Sequence, residues 1–132
     1  MYKKIIFGII FFSFFITGFS QNPPCSKHIT GAYLADPQFH FTYLSYNETK
    51  EFNITFIGGN TYRIAVASAH ENNIAFSIID QENNELFSNI DFNNAAYWDF
   101  EIPNTMECRI KISLISELED EDFGAICIGY KQ

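Results

Sequence analysis

Residues 52–66 read Phe52-Asn53-Ile54-Thr55-Phe56-Ile57-Gly58-Gly59-Asn60-Thr61-Tyr62-Arg63-Ile64-Ala65-Val66. Phe52, Ile54 and Phe56 alternate with Glu51, Asn53 and Thr55, and Tyr62, Ile64 and Val66 alternate with Arg63, Ala65 and Ala67. A period of two buries one face of a strand and leaves the other face outside, and the Gly58-Gly59-Asn60 stretch between the two runs is turn chemistry. The same period returns in Ile74, Phe76 and Ile78, in Trp98, Phe100 and Ile102, in Ile110, Ile112 and Leu114, and in Ile126, Ile128 and Tyr130. A further strand is expected at Phe39–Tyr43 and a short one at Leu86-Phe87.

Turn-forming clusters at His70–Asn73, Gln81–Glu85, Asn89–Asn94, Pro103–Thr105 and Glu117–Gly124 separate these runs. Strands with turns about every 8 to 12 residues predict an all-β chain of about eight strands, an antiparallel two-sheet β-sandwich of jelly-roll type. Its expected core includes Tyr62, Ile64, Val66, Ile74, Phe76, Ile78, Trp98, Phe100, Ile110 and Ile112. No helical stripe appears outside the first twenty residues.

Those twenty residues have a different logic. Lys3 and Lys4 precede an apolar run from Ile5 to Phe15, and Gly18 and Ser20 put small residues before Gln21. This is the layout of a secretory signal peptide over residues 1–20, with an apolar core short for a membrane span. The expected product is a secreted or periplasmic chain with no stable membrane insertion, a single domain over residues 21–132. Loss of Lys3 and Lys4 takes the formal charge from −8 to −10. Such an excess of carboxylates repels phosphate backbones, so nucleic acid is not an expected partner. A protein or a cell-surface glycan is.

Four segments carry a resemblance: Gly58–Ile64, Ile78–Leu86, Tyr97–Phe100 and the closing Gly124-Ala125-Ile126-Cys127-Ile128-Gly129-Tyr130. Together they resemble small secreted bacterial jelly-roll domains, such as the pre-peptidase C-terminal domains of secreted proteases and the luminal sandwich of p24 cargo receptors. The resemblance implies a fold and an accessory role, and brings no catalytic residue with it. The crowding of Asn, Ile, Phe and Tyr is similar to that of bacterial exported proteins.

The chemistry-bearing residues are few. His28, His40 and His70 stand in unrelated contexts without a Gly-x-Ser-x-Gly turn, and the cysteines lie 83 and 19 positions apart, so neither a catalytic triad nor a zinc site is expected. No enzyme and no cofactor is expected. His40 lies between Phe39 and Phe41 and faces away from them, as a solvent-facing or partly buried strand histidine. Asp99 and Glu101 share the outward face of a strand with Tyr97, which would set one stacking ring beside two acceptors for a carbohydrate; plain strand-surface residues look the same. In the run Glu117–Asp122, residues Glu119, Asp120 and Asp122 are the candidate Ca²⁺ ligands. The run lacks an internal Gly and the EF-hand spacing, so a solvated loop is preferred.

An odd number of cysteines in an exported chain leaves one thiol over. If the last two long strands pair so that Ile110 faces Ile128 and Ile112 faces Ile126, Cys108 points into the core and Cys127 away from it. The expected disulfide is then Cys25 with Cys127, with Cys108 a buried free thiol, against the alternative of Cys108 with Cys127.

Overall fold

The computed structural model describes residues 23–132; the expected signal peptide and the Gln21 terminus lie outside the described residues. Strands form at Leu34–Ala35 (β1), His40–Leu44 (β2), Thr49–Phe56 (β3), Asn60–Ala67 (β4), Ile74–Asp80 (β5), Glu85–Ser88 (β6), Tyr97–Ile102 (β7), Met106–Leu114 (β8) and Asp122–Lys131 (β9). Every segment expected as a strand is one. The addition is β1, whose two residues are too few to display a period.

The strands make two antiparallel sheets. Sheet A runs β1-β9-β4-β7, with β2 also paired to β9; sheet B runs β3-β8-β5-β6. The register follows the alternation, since Ile64 of β4 lies between Ile128 and Trp98, and Phe76 of β5 lies opposite Ile112. Tyr62, Ile64, Val66, Ile126 and Ile128 of sheet A thus meet Ile54, Phe56, Phe76, Ile78, Ile110 and Ile112 of sheet B in one core. Trp98 and Phe100, expected inside, are only partly buried. They sit on β7, an edge strand, and complete their cover with one another's neighbours Phe87 and Phe92, Trp98 lying 4.3 Å from the Phe92 ring.

One expected pairing is wrong. β8 does not pair with β9: it sits between β3 and β5 in sheet B, while β9 is central in sheet A. β8 has β3 and β5 on its two sides and β9 has β4 on one side and β1 and β2 on the other, so their inward isoleucines meet across the core instead of side by side. The Glu117–Glu121 segment therefore crosses between sheets. Asn73 fastens that crossover, its amide donating to the Ser116 carbonyl at 3.0 Å and accepting from the Ser116 N–H at 2.9 Å. On the β6 side of the same end of β5 the fully buried Asn89 accepts from the Phe76 N–H and donates to the Ile74 and Ala95 carbonyls. The Asn89 bonds to Phe76 and Ile74 satisfy buried backbone groups.

The outcome for the cysteines nevertheless follows from the alternation. Cys108 is buried in the main core as a free thiol, and burial, with Asp80 adding its charge, pushes that thiol up from its ordinary pKa. Cys127 points to the outer face of sheet A and is bonded to Cys25, 102 positions away. Cys25 belongs to a short 3-10 helix, Pro24–His28.

Candidate functional site

The outer face of sheet A has a centre and two flanks. Its centre is built of small residues: Ala65, Ala125 and Cys127 make a second buried cluster with Cys25, and Ile29 and Phe123 pack against it. The 3-10 helix lies on this patch because small side chains let a backbone approach. Gly129 shows how close that approach is, as a Cβ there would stand 2.7 Å from Ile29 Cγ2 and 3.2 Å from Tyr33 Cβ. The disulfide ties the helix to β9. Ala65, which the alternation assigns to the outside, is therefore fully buried.

The β7 flank carries the expected ligand residues Tyr97, Asp99 and Glu101. All three point outward, but Asp99 is not a free acceptor. Arg63, its direct cross-strand neighbour, forks onto it with Nε to Oδ1 at 2.7 Å and Nη2 to Oδ2 at 3.0 Å. The same guanidinium lies 4.2 Å from the Tyr33 ring centre and 4.6 Å from that of Tyr97, and donates to the His28 carbonyl at 3.1 Å. Tyr97 also packs on the His28 ring. The Arg63 hydrogen bond holds the Asp99 carboxyl below its usual range, and burial, then Lys27 and Arg63, lower the His28 imidazole. Of the expected trio, only Glu101 has no side-chain partner in this arrangement. A shallow depression along the β7 edge is lined by Ala95, Ala96, Tyr97, Trp98 and Asp99.

The β2 flank is the reverse. In the ladder with β9, Phe41 lies opposite Ala125 and Tyr43 opposite Phe123, which puts both aromatics on the outer face. His40, Thr42 and Leu44 turn inward, and His40 stacks on Phe52 with ring centres 4.4 Å apart. Phe39, Phe41 and Tyr43 are 42%, 48% and 79% exposed. Phe41 stacks on Phe123 at 5.3 Å and meets Tyr43 edge-on at 5.8 Å, so the rings form one strip. Among the described residues β2 is laddered to β9 alone.

The acidic run ends beside this strip, because Asp122 opens β9 opposite Leu44. Asp122 was expected in the loop, yet it is buried at the strand start: its Oδ1 accepts from the Ala69 N–H at 2.9 Å and from the Phe123 N–H at 2.7 Å, while Oδ2 has no partner among the described residues. Glu119 bonds His70 Nε2 at 2.7 Å. Asp120 is exposed, as are Glu117 and Glu121. Glu119, Asp120 and Asp122 are thus not drawn around one point, and among the described residues no three His, Cys, Asp or Glu side chains are placed to hold a metal ion. A cavity of about 390 Å³ lies between the 3-10 helix and the β4–β5 turn, lined by Lys27, His28, Val66, His70, Glu71 and Ala96 among others.

Two sets of residues were not singled out by sequence: Arg63 with Tyr33, which occupy Asp99 and Tyr97, and the β2 aromatics. The signal for the second was present, since His40 and Leu44 set the inward phase and leave Phe39, Phe41 and Tyr43 outside.

No family model and no curated protein matches the chain. Among solved structures, the crystal structure of Aeromonas hydrophila PliG, a periplasmic lysozyme inhibitor of g-type lysozyme, is similar at a TM-score of 0.50 and 11% identity, over 76% of this chain and 87% of that one. The pre-peptidase and p24 resemblance thus goes no further than an all-β sandwich, and the likeness to PliG is one of fold.

Proposed function

We propose that this chain is an extracytoplasmic, non-catalytic module that binds another protein through the β2 flank of sheet A. One observation carries the reading: Phe41 and Tyr43 stand exposed on an edge strand, in one strip with Phe123, and Phe39 is exposed just before that strand. Exposed edges and contiguous aromatics are features that soluble proteins ordinarily suppress, and their retention marks interaction surfaces. The disulfide fits an oxidising compartment, and the signal-peptide layout of residues 1–20 fits export. The PliG likeness adds that a sandwich of this kind serves elsewhere as a protein inhibitor.

The test is a photo-crosslinking phenylalanine analogue at position 43, with one at Lys111 on the outer face of sheet B as control. Irradiation of intact host cells should give a discrete protein adduct from position 43 and none from position 111. Adducts of equal yield at both positions, or none at 43, would refute the reading. A second reading, a carbohydrate site, rests on the depression beside Tyr97; glycan-array binding abolished by Tyr97→Ala would support it.

A further inference from the structure

We infer that the partner taken by the β2 flank is a cationic protein. This rests on the proposal that the flank binds protein, and names the partner's chemistry. The chain leading into β9, whose first residue Asp122 stands opposite Leu44 in the ladder, carries the exposed carboxylates Glu117, Asp120 and Glu121 up to the strip. Leu118 is exposed within the same run, which extends the apolar contact into the acidic rim. The inner part of the flank is aromatic, and its charged border is acidic. That is the complement of a surface with an apolar patch rimmed by Lys and Arg.

The rest of the molecule agrees in sign. Residues 21–132 hold all 16 carboxylates against 6 of the 8 Lys and Arg, so the long-range field attracts a cationic protein and repels a second copy of this chain. Self-association through the strip would also bring two acidic rims into one interface. Asp122 is not counted in the rim, because it is buried and bonded to the Ala69 N–H. Glu119 is held by His70. The three carboxylates free to meet a partner are Glu117, Asp120 and Glu121.

The experiment uses the exported protein with the photo-crosslinker at position 43, alone and combined with Glu117→Gln, Asp120→Asn and Glu121→Gln. Peptides of the adduct identify the captured protein, and its sequence gives its net charge. The expected result is a cationic protein whose adduct forms about tenfold more slowly with the neutralised loop at low salt, the difference vanishing in about 0.5 M NaCl. The three side chains are exposed, and an unchanged melting temperature in the triple variant verifies that its fold is intact. An adduct insensitive to both salt and loop charge overturns the cationic partner while leaving the protein-binding reading standing. So does an adduct of this chain with itself. No adduct from position 43 overturns both.

Discussion

The two flanks of sheet A's outer face carry similar outward residues and use them in opposite ways. On the β7 flank, Tyr97 and Asp99 are bound to Arg63, which Tyr33 and the His28 carbonyl also hold. On the β2 flank, the ring partners of Phe41 among the described residues are Tyr43 and Phe123, and most of Tyr43 stays exposed. An outward polar cluster is therefore not a binding site merely because its residue types suit one, since its members can satisfy each other. What stands available is the flank whose groups lack partners inside the fold.

The largest expected effect comes from removing the cover that lies between the flanks. Replacing Cys25 and Cys127 by Ala releases a loop of about 100 residues, which the chain-entropy relation values at about 4 to 5 kcal/mol as an upper figure. Denaturant titration of the exported variant measures it, and a change under about 1 kcal/mol would mean that the bond constrains the unfolded chain far less than the relation states. Next is Arg63→Ala, which frees Asp99 and uncovers two tyrosines; from ordinary cation–π and partly exposed ion-pair strengths it should cost about 1 to 2 kcal/mol. Tyr43→Ser should leave the midpoint within about 0.5 kcal/mol, as expected of a side chain the fold does not need. Loss of stability there comparable to that of Arg63→Ala would erase the distinction between the flanks.

The smallest effect is in pH. The Asp99 carboxyl is held below its unfolded range by Arg63, so the folded state binds its proton less readily than the unfolded chain. Stability from this pair is complete above the ordinary carboxylate pKa of about 4 and is lost as pH falls through the lowered folded value. Arg63→Ala should flatten that part of the acid unfolding curve. The variant and the parent having parallel curves below pH 4 would show that the pair contributes nothing.

Much of the sandwich was legible because burial on one face writes a period of two directly into the chain. Phe52–Val66 and Ile74–Ile78 appear as strands with the inward residues that the alternation assigns. Pairing was less legible. Nothing local in Ile110 or Ile128 distinguishes facing across a core from lying side by side in a sheet, which is why the β8–β9 hairpin was expected and absent. The Cys25–Cys127 bond survived that error because it depends only on Cys127 being out of phase with Ile126 and Ile128. The β7 flank failed for a related reason: Arg63 and Asp99 are 36 positions apart, and only the β4–β7 ladder brings them together. The phase of His40 against Phe41 was legible, but the exposure of the ring required knowing that β2 lies at an edge.

The most direct test compares the two flanks on one binding partner. With the protein captured at position 43 purified, its affinity for exported Phe41→Ser/Tyr43→Ser and for Tyr97→Ser/Glu101→Gln is measured by calorimetry. Aromatic anchors at the centre of an interface carry about 2 kcal/mol each, so the β2 double variant should lose about 1,000-fold in affinity. The β7 double variant should bind within about twofold of the parent. Loss of binding in the β7 variant, with the β2 variant unchanged, would place the interface on the wrong flank and contradict the account.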